Sequence, residues 1–100
     1  MKLIEIARVI RSKNAGPTTL TVDLMFNDAQ GFQRALAAPA LQAEAIALLY
    51  SLEPSQVEVI AYPPAVAIKI VMDRKVIAGD PGDRDVYGAQ QHAPLLGVDV

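Results

Sequence analysis

The stretch that decides the fold is residues 18–26, Thr-Thr-Leu-Thr-Val-Asp-Leu-Met-Phe, because its side chains alternate along the chain. A period of two is typical of a β-strand that buries one of its faces. One face carries Leu20, Val22, Leu24 and Phe26. The opposite face carries Thr19, Thr21, Asp23 and Met25. The pattern therefore predicts a strand whose four large apolar residues point into the core.

The preceding residues, 3–11, fit two structures. Their apolar side chains match both the period of a strand and the i, i+3, i+4, i+7 spacing of a helix. Their β-branched content favours a strand. The polar residues and breakers of 12–17 then predict a turn, so that residues 3–11 and 18–26 form a hairpin with a long loop.

Two helices are expected after this hairpin. Asn27 or Asp28 is a good N-cap, and helical spacing begins directly behind it. Pro39 ends the first helix, because the residue before a proline is disfavoured in helical conformation. A second helix is predicted from about residue 40 to residue 49. The first apolar stripe is Ala29, Phe32, Ala35 and Leu36, and the second is Leu41, Ala45, Leu48 and Leu52.

Three further strands are predicted, at residues 57–62, at residues 65–72 and, as a short edge strand, at residues 96–100. Both faces of 65–72 are nearly apolar, which indicates a central strand. The order of elements is typical of a single α+β domain over residues 1–100, with one mostly antiparallel sheet of four to five strands and two helices on one face.

Composition narrows the function classes. The chain has 100 residues, of which 52% are hydrophobic and 20% charged, which favours an oligomer or a subunit of a complex. A net charge of −2 without a basic run argues against nucleic-acid binding. The chain has no cysteine and no apolar run long enough to span a membrane, and its N-terminal run is interrupted by charges. We therefore expect a cytoplasmic protein that does not bind a membrane.

The segment 79–95 has the least regular pattern and contains the only histidine, His92. With Tyr87, Gln90 and Gln91 nearby, His92 is a candidate for acid–base chemistry, either in this chain or in a site shared with another subunit. Structural hydrogen bonding of the loop is the alternative for His92. Aspartates 80, 83 and 85 are better explained as turn residues than as ligands, so we predict no metal and no cofactor.

A second candidate site is the run Arg11, Ser12, Lys13 and Asn14, which is followed by Gly16. Cationic side chains and backbone N–H groups around a glycine can hold a carboxylate or a phosphate. A solvated hairpin tip is the alternative. If Asp23 is buried, it needs a partner such as Arg11 or Lys69.

Residues 11–17, Arg-Ser-Lys-Asn-Ala-Gly-Pro, and residues 82–95, Gly-Asp-Arg-Asp-Val-Tyr-Gly-Ala-Gln-Gln-His-Ala-Pro-Leu, resemble a known family. The family is a bacterial domain of unknown function of about this length, and its members accompany large proteins of the acyclic terpene utilisation A type. The chain is also similar to the ferredoxin-like domain that ends many of those large proteins. That domain has an Arg-Ser-Gly-Asp-Lys-Gly turn, of which only Arg11, Ser12 and Gly16 are matched here.

The resemblance implies a ferredoxin-like sandwich and a small partner subunit of a large enzyme that degrades organic acids or acyl-CoA esters. The favoured hypothesis is a subunit that contributes to an interface site of a hydratase or dehydratase. In it, Arg11 and Lys13 bind the substrate carboxylate, aided by Ser12 and Asn14, while His92, Tyr87, Gln90 and Gln91 complete the site. The alternative is a non-enzymatic homo-oligomer that binds a small acid or scaffolds a complex.

Overall fold

The computed structural model describes residues 1–74 and 92–100. The strands are β1 (Ala7–Asn14), β2 (Thr19–Phe26), β3 (Val57–Tyr62) and β4 (Ala67–Asp73). The helices are α1 (Leu3–Ile6), α2 (Ala29–Ala37) and α3 (Ala43–Tyr50). Short 3₁₀ turns lie at Pro39–Leu41, Pro54–Gln56, Pro63–Ala65 and Ala93–Gly97.

The four strands form one antiparallel sheet in the order β1-β2-β4-β3. Two hairpins, β1–β2 and β3–β4, are joined by the helical segment between β2 and β3. This confirms the expected α+β class and is consistent with a ferredoxin-like α+β fold. β2 and β4 occupy the centre of the sheet, as the two-sided apolar pattern of β4 indicated, and β1 and β3 are the edges.

The core lies between the sheet and the helices. The apolar face of β2 is fully buried, as predicted, and meets the buried residues of β4 and of α2 and α3. The aromatic rings of Phe26 and Phe32 pack with their centroids 6.3 Å apart. α2 begins where the sequence predicted, since the Asp28 carboxylate accepts a hydrogen bond from the backbone N–H of Gly31 at 2.8 Å.

The second helix differs from its prediction. It starts only at Ala43, because the 3₁₀ turn at Pro39–Leu41 and the extended backbone of Gln42 interrupt the helical spacing. The buried residues of α3 are consequently Ile46 and Ala47, whereas Leu48, which was predicted on the apolar face, is 82% exposed. The predicted stripe was wrong because it continued one helical phase across a break in the helix.

The first segment contains both of the structures that its sequence allowed. One helical turn, α1, buries Leu3, and β1 then runs to Asn14, three residues beyond its predicted end. The turn between β1 and β2 is therefore shorter than predicted and contains Gly16 at a φ of +112°, a conformation that suits glycine. Polar residues 12–14 continue the strand because each of them pairs with a residue of β2.

The predicted strand at residues 96–100 is not formed. Its first residues belong to the 3₁₀ turn Ala93–Gly97, which buries Leu95 completely. Pro94 favours this turn because its fixed φ suits the first positions of a helix and it has no N–H for a ladder. Only a single antiparallel bridge follows, between Lys2 and Asp99, and it joins the two ends of the domain.

Candidate functional site

The sheet presents its second face on the side opposite α2 and α3. Within the described part of the chain, no helix packs on this face, which we call the open face. Cross-strand partners place three rows of side chains on it. The first row is Lys13, Thr21, Val71 and Glu58; the second is Arg11, Asp23, Lys69 and Ile60; and the third is Val9, Met25, Ala67 and Tyr62. The open face therefore changes from charged to apolar along the strands.

A groove of about 550 Å³ follows this gradient. Its described lining residues are Arg11, Lys13, Asp23, Met25, Ile60, Tyr62, Ala65, Ala67, Ile68 and Lys69. At the apolar end, Ile60 is 39% and Tyr62 59% exposed, so these side chains of the edge strand β3 present apolar surface to solvent. The groove thus has a floor and two chemically different ends, and the described residues form no roof above it.

Asp23 lies in the floor of this groove and is only 8% exposed. Its Oδ2 accepts a hydrogen bond from Arg11 Nε at 3.2 Å, and the two side chains form an ion pair. The prediction that a buried Asp23 would pair with Arg11 or Lys69 is confirmed for Arg11. The pair is necessary because a buried carboxylate without a partner is costly.

The cationic end of the groove has more positive than negative charge. Among its described lining residues, Arg11, Lys13 and Lys69 face a single carboxylate, Asp23, and that carboxylate is already bonded to Arg11. Lys69 is exposed and lies opposite Asp23 on the neighbouring strand. Exposed ammonium and guanidinium groups beside an apolar surface can bind the carboxylate of an amphipathic acid.

The connection between β3 and β4 bounds the apolar end of the groove. It consists of the turn Pro63–Ala65 followed by Val66. Val66 has a φ of +43°, which is a strained conformation for a β-branched residue. Two hydrogen bonds hold Val66 in this conformation. Its backbone N–H donates to Pro63 O at 3.0 Å, and its carbonyl oxygen accepts from the backbone N–H of Phe26, also at 3.0 Å. Strain of this kind is concentrated at binding sites, where the surrounding structure maintains it.

The other half of the predicted site lies on the helix side of the sheet. Ser12 is 6% exposed there, and its Oγ accepts a hydrogen bond from the backbone N–H of His92 at 3.1 Å. The same Oγ lies 3.3 Å from His92 Nδ1. When Ser12 donates its hydroxyl proton to Nδ1, the neutral imidazole carries its own proton on Nε2. The contact fixes His92 at the start of the turn Ala93–Gly97.

Asn14 also lies on the face of β1 that carries Ser12. Its Oδ1 accepts a hydrogen bond from Arg74 Nη1 at 3.1 Å, and the backbone N–H of Arg74 donates to Thr18 O at 2.8 Å. These bonds tie the end of β4 to the β1–β2 turn.

The predicted run 11–14 is thus divided by the alternation of β1. Arg11 and Lys13 line the groove on the open face, while Ser12 and Asn14 belong to the helix side. Ser12 and His92 are brought together, but the sheet separates both of them from Arg11 and Lys13. Tyr87, Gln90, Gln91 and the aspartates at 80, 83 and 85 lie outside the described residues, so their predicted roles stay predictions.

Sequence reasoning missed most of the groove. Lys69, Ile60 and Tyr62 were not predicted as site residues, because both faces of residues 65–72 are nearly apolar and the pattern indicated a strand covered on both sides. Their proximity depends on the order β1-β2-β4-β3, which no local pattern encodes. In residues 1–74 and 92–100, no group of three side chains could hold a metal ion, and no helix is long and apolar enough to cross a membrane.

A family model for a domain of unknown function, DUF4387, matches residues 3–99. The chain belongs to this family. The match covers α1, the whole sheet and the turn that carries Leu95, so the open face and the Ser12–His92 contact both lie within the DUF4387 domain. No curated protein and no solved structure gave a significant match to the chain.

Proposed function

We propose that this DUF4387 chain is the small, acid-binding subunit of a cytoplasmic two-component enzyme that degrades an organic acid or its CoA ester. Its partner in this proposal is a large subunit of the acyclic terpene utilisation A type, which supplies most of the catalytic groups. The reaction class is hydration or dehydration. The observation that carries the proposal is the groove on the open face, which the described residues leave uncovered and which has cations at one end and apolar side chains at the other.

Among the described residues, the groove has neither a histidine nor a cover, and this supports a site shared with a second chain. Its floor and its cationic end can orient an acid, but none of the described lining residues is a histidine. The described residues leave the upper side of such a ligand uncovered, and in this proposal the large subunit encloses it. Enclosure matters for catalysis because the expulsion of water strengthens the electrostatic interactions inside a site.

The position of β1 supports a contribution from His92 as well. β1 is an edge strand, so Arg11 and Lys13 on one face and the Ser12–His92 contact on the other all lie near the same border of the sheet. A large subunit docked along this border would contact both faces. In this arrangement the large subunit would contact Arg11 and Lys13 on one face of the sheet and His92 on the other.

Reconstitution tests the proposal. The purified chain alone should show no turnover of candidate acids or CoA esters, and the large subunit should gain hydratase or dehydratase activity when the chain is added. Lys69→Gln should lower the activity of the mixture, because it removes a groove cation that the Arg11–Asp23 ion pair does not include. Arg34→Gln is the control for the mixture, since Arg34 also carries a positive charge, lies exposed on α2 away from the β1 border and does not line the groove.

Full activity of the large subunit in the absence of this chain would refute the subunit role. Light scattering on the chain alone and on the mixture distinguishes the alternative function. A symmetric homo-oligomer that binds a small acid tightly and forms no complex with the large subunit would favour the non-enzymatic module.

A further inference from the structure

We infer that the open-face groove takes a free monocarboxylic acid with an apolar chain, and that Asp23 excludes acids with a second negative charge. This inference rests on the proposed acid-binding function and specifies its ligand. It is carried by three features of the groove: the position of Asp23, the balance of charge around it, and the apolar end.

Asp23 occupies the centre of the cationic end. It lies on β2 with Arg11 opposite it on β1 and Lys69 opposite it on β4. Neighbouring strands are about 4.8 Å apart, so a ligand carboxylate between Lys69 and Lys13 would lie within a few ångströms of the Asp23 carboxylate. Because Asp23 is bonded to Arg11, the cations that remain to attract the ligand among the described lining residues are Lys13 and Lys69.

One carboxylate gains from this arrangement, but two do not. The first can approach Lys69 and Lys13 while Arg11 compensates Asp23. A second carboxylate at the same end would have to share these two lysines with the first, and it would lie close to both the first carboxylate and Asp23, so repulsion offsets what it gains. Like charges placed together in a binding site are a common means of rejecting a wrong ligand.

A second carboxylate cannot move to the other end without loss. The row of Met25, Ala67 and Tyr62 follows the Lys69 row after two residues of each strand, about 7 Å along the groove. The described side chains of that row carry no charge, and the phenol of Tyr62 is its only side-chain hydrogen-bonding group. An alkyl chain gains there by burial, whereas a carboxylate would lose hydration without finding a cation. Among the described residues, the polyanionic headgroup of a CoA ester meets the same shortage of cations.

The experiment is a calorimetric titration of the full chain with hexanoate, adipate and hexanoyl-CoA, in which hexanoate and adipate have the same number of carbons and differ by one carboxylate. We expect hexanoate to bind at least about tenfold more tightly than adipate, a difference typical of one unfavourable charge contact. Asp23→Asn, which keeps the shape and an oxygen for Arg11, should bring this ratio close to one by strengthening adipate binding. Lys69→Gln should weaken the binding of hexanoate, and Arg8→Gln should not.

For the wild-type chain, the ratio of hexanoate to adipate affinity should also fall when the salt concentration is raised, because the preference rests on charge. This titration replaces the test with Asp23→Asn if that variant does not fold. Equal affinity for hexanoate and adipate, tighter binding of hexanoyl-CoA, or no binding of any of the three overturns the inference. If the chain binds none of them but still activates the large subunit, the ligand assignment fails and the subunit role stands. If the chain selects hexanoate but never activates that subunit, the ligand assignment stands and the subunit role fails.

Discussion

Replacement of Ser12 by alanine should destabilise the fold more than a change of His92. Ser12 Oγ accepts the backbone N–H of His92 at 3.1 Å and also contacts the imidazole at 3.3 Å. The alanine variant therefore loses both contacts and leaves a part-buried backbone donor without this acceptor. His92→Asn keeps the backbone donor and supplies an amide oxygen near the position of Nδ1, so it loses much less.

The magnitudes follow from these contacts. A net contribution of about 0.5–1.5 kcal/mol is typical of one hydrogen bond, and a buried donor that loses its acceptor costs about 1–3 kcal/mol. We therefore expect Ser12→Ala to lower the free energy of unfolding by about 2–3 kcal/mol and His92→Asn to lower it by about 1 kcal/mol or less. A domain of this size has only about 5–15 kcal/mol of stability, so the first loss is large.

Urea denaturation followed by circular dichroism measures both variants. With a slope of about 1–3 kcal/mol per molar urea, the Ser12→Ala midpoint should fall by about 0.7–3 M. The reasoning is refuted if Ser12→Ala has the wild-type midpoint, or if His92→Asn loses more stability than Ser12→Ala. The same pair tests the role of His92 in the reconstituted enzyme: a stable His92→Asn variant that abolishes turnover identifies chemistry at the imidazole beyond its structural contact.

Two other perturbations test the fold and its pH dependence. Leu95→Ala should lower the free energy of unfolding by about 2–5 kcal/mol, because Leu95 is fully buried. Leu96→Ala is the control: this neighbouring residue is 41% exposed, so its replacement should change the free energy of unfolding by no more than about 0.5 kcal/mol. Equal midpoints of the two variants in denaturant would contradict the packing of the turn Ala93–Gly97. Burial raises the pKa of Tyr50 above its ordinary value. The unfolded chain releases this phenolic proton near pH 10 while the folded chain retains it, so the free energy of unfolding should fall as the pH rises above about 10. Tyr50→Phe should remove this part of the loss, and an unchanged slope of unfolding free energy against pH would show that Tyr50 does not cause it.

The sequence predicted the parts of the fold that depend on local chemistry. The alternation of residues 18–26 identified β2 and its buried face, and Asp28 marked the start of α2 through a hydrogen bond that its residue type favours. The strand at residues 57–62 was predicted with the bounds that the structure has. In each case a short window of sequence contains both the signal and its physical cause.

The predictions were wrong where contacts outside the periodic pattern decide the local structure. Residues 96–100 have the composition of a strand, but the burial of Leu95 against a core built from other elements favours a 3₁₀ turn there. Leu48 fits a helical stripe only if the helix is continuous from residue 40, and the hydrogen bonds of Gln42 to Leu36 O and Ala38 O instead stabilise the break before α3. Neither the tertiary packing of Leu95 nor a side-chain hydrogen bond that interrupts a helix can be read from periodicity.

The error that matters most for function is the end of β1. A strand that stopped at residue 11 would leave Ser12, Lys13 and Asn14 in a turn, where their side chains could all surround one anion. Because the strand continues to Asn14, adjacent side chains point to opposite faces, and one polar run serves two purposes. Arg11 and Lys13 give the open face its positive end, whereas Ser12 holds the turn that buries Leu95. The three additional residues of β1 therefore decide whether the polar run surrounds one position or divides between the open face and the core behind it.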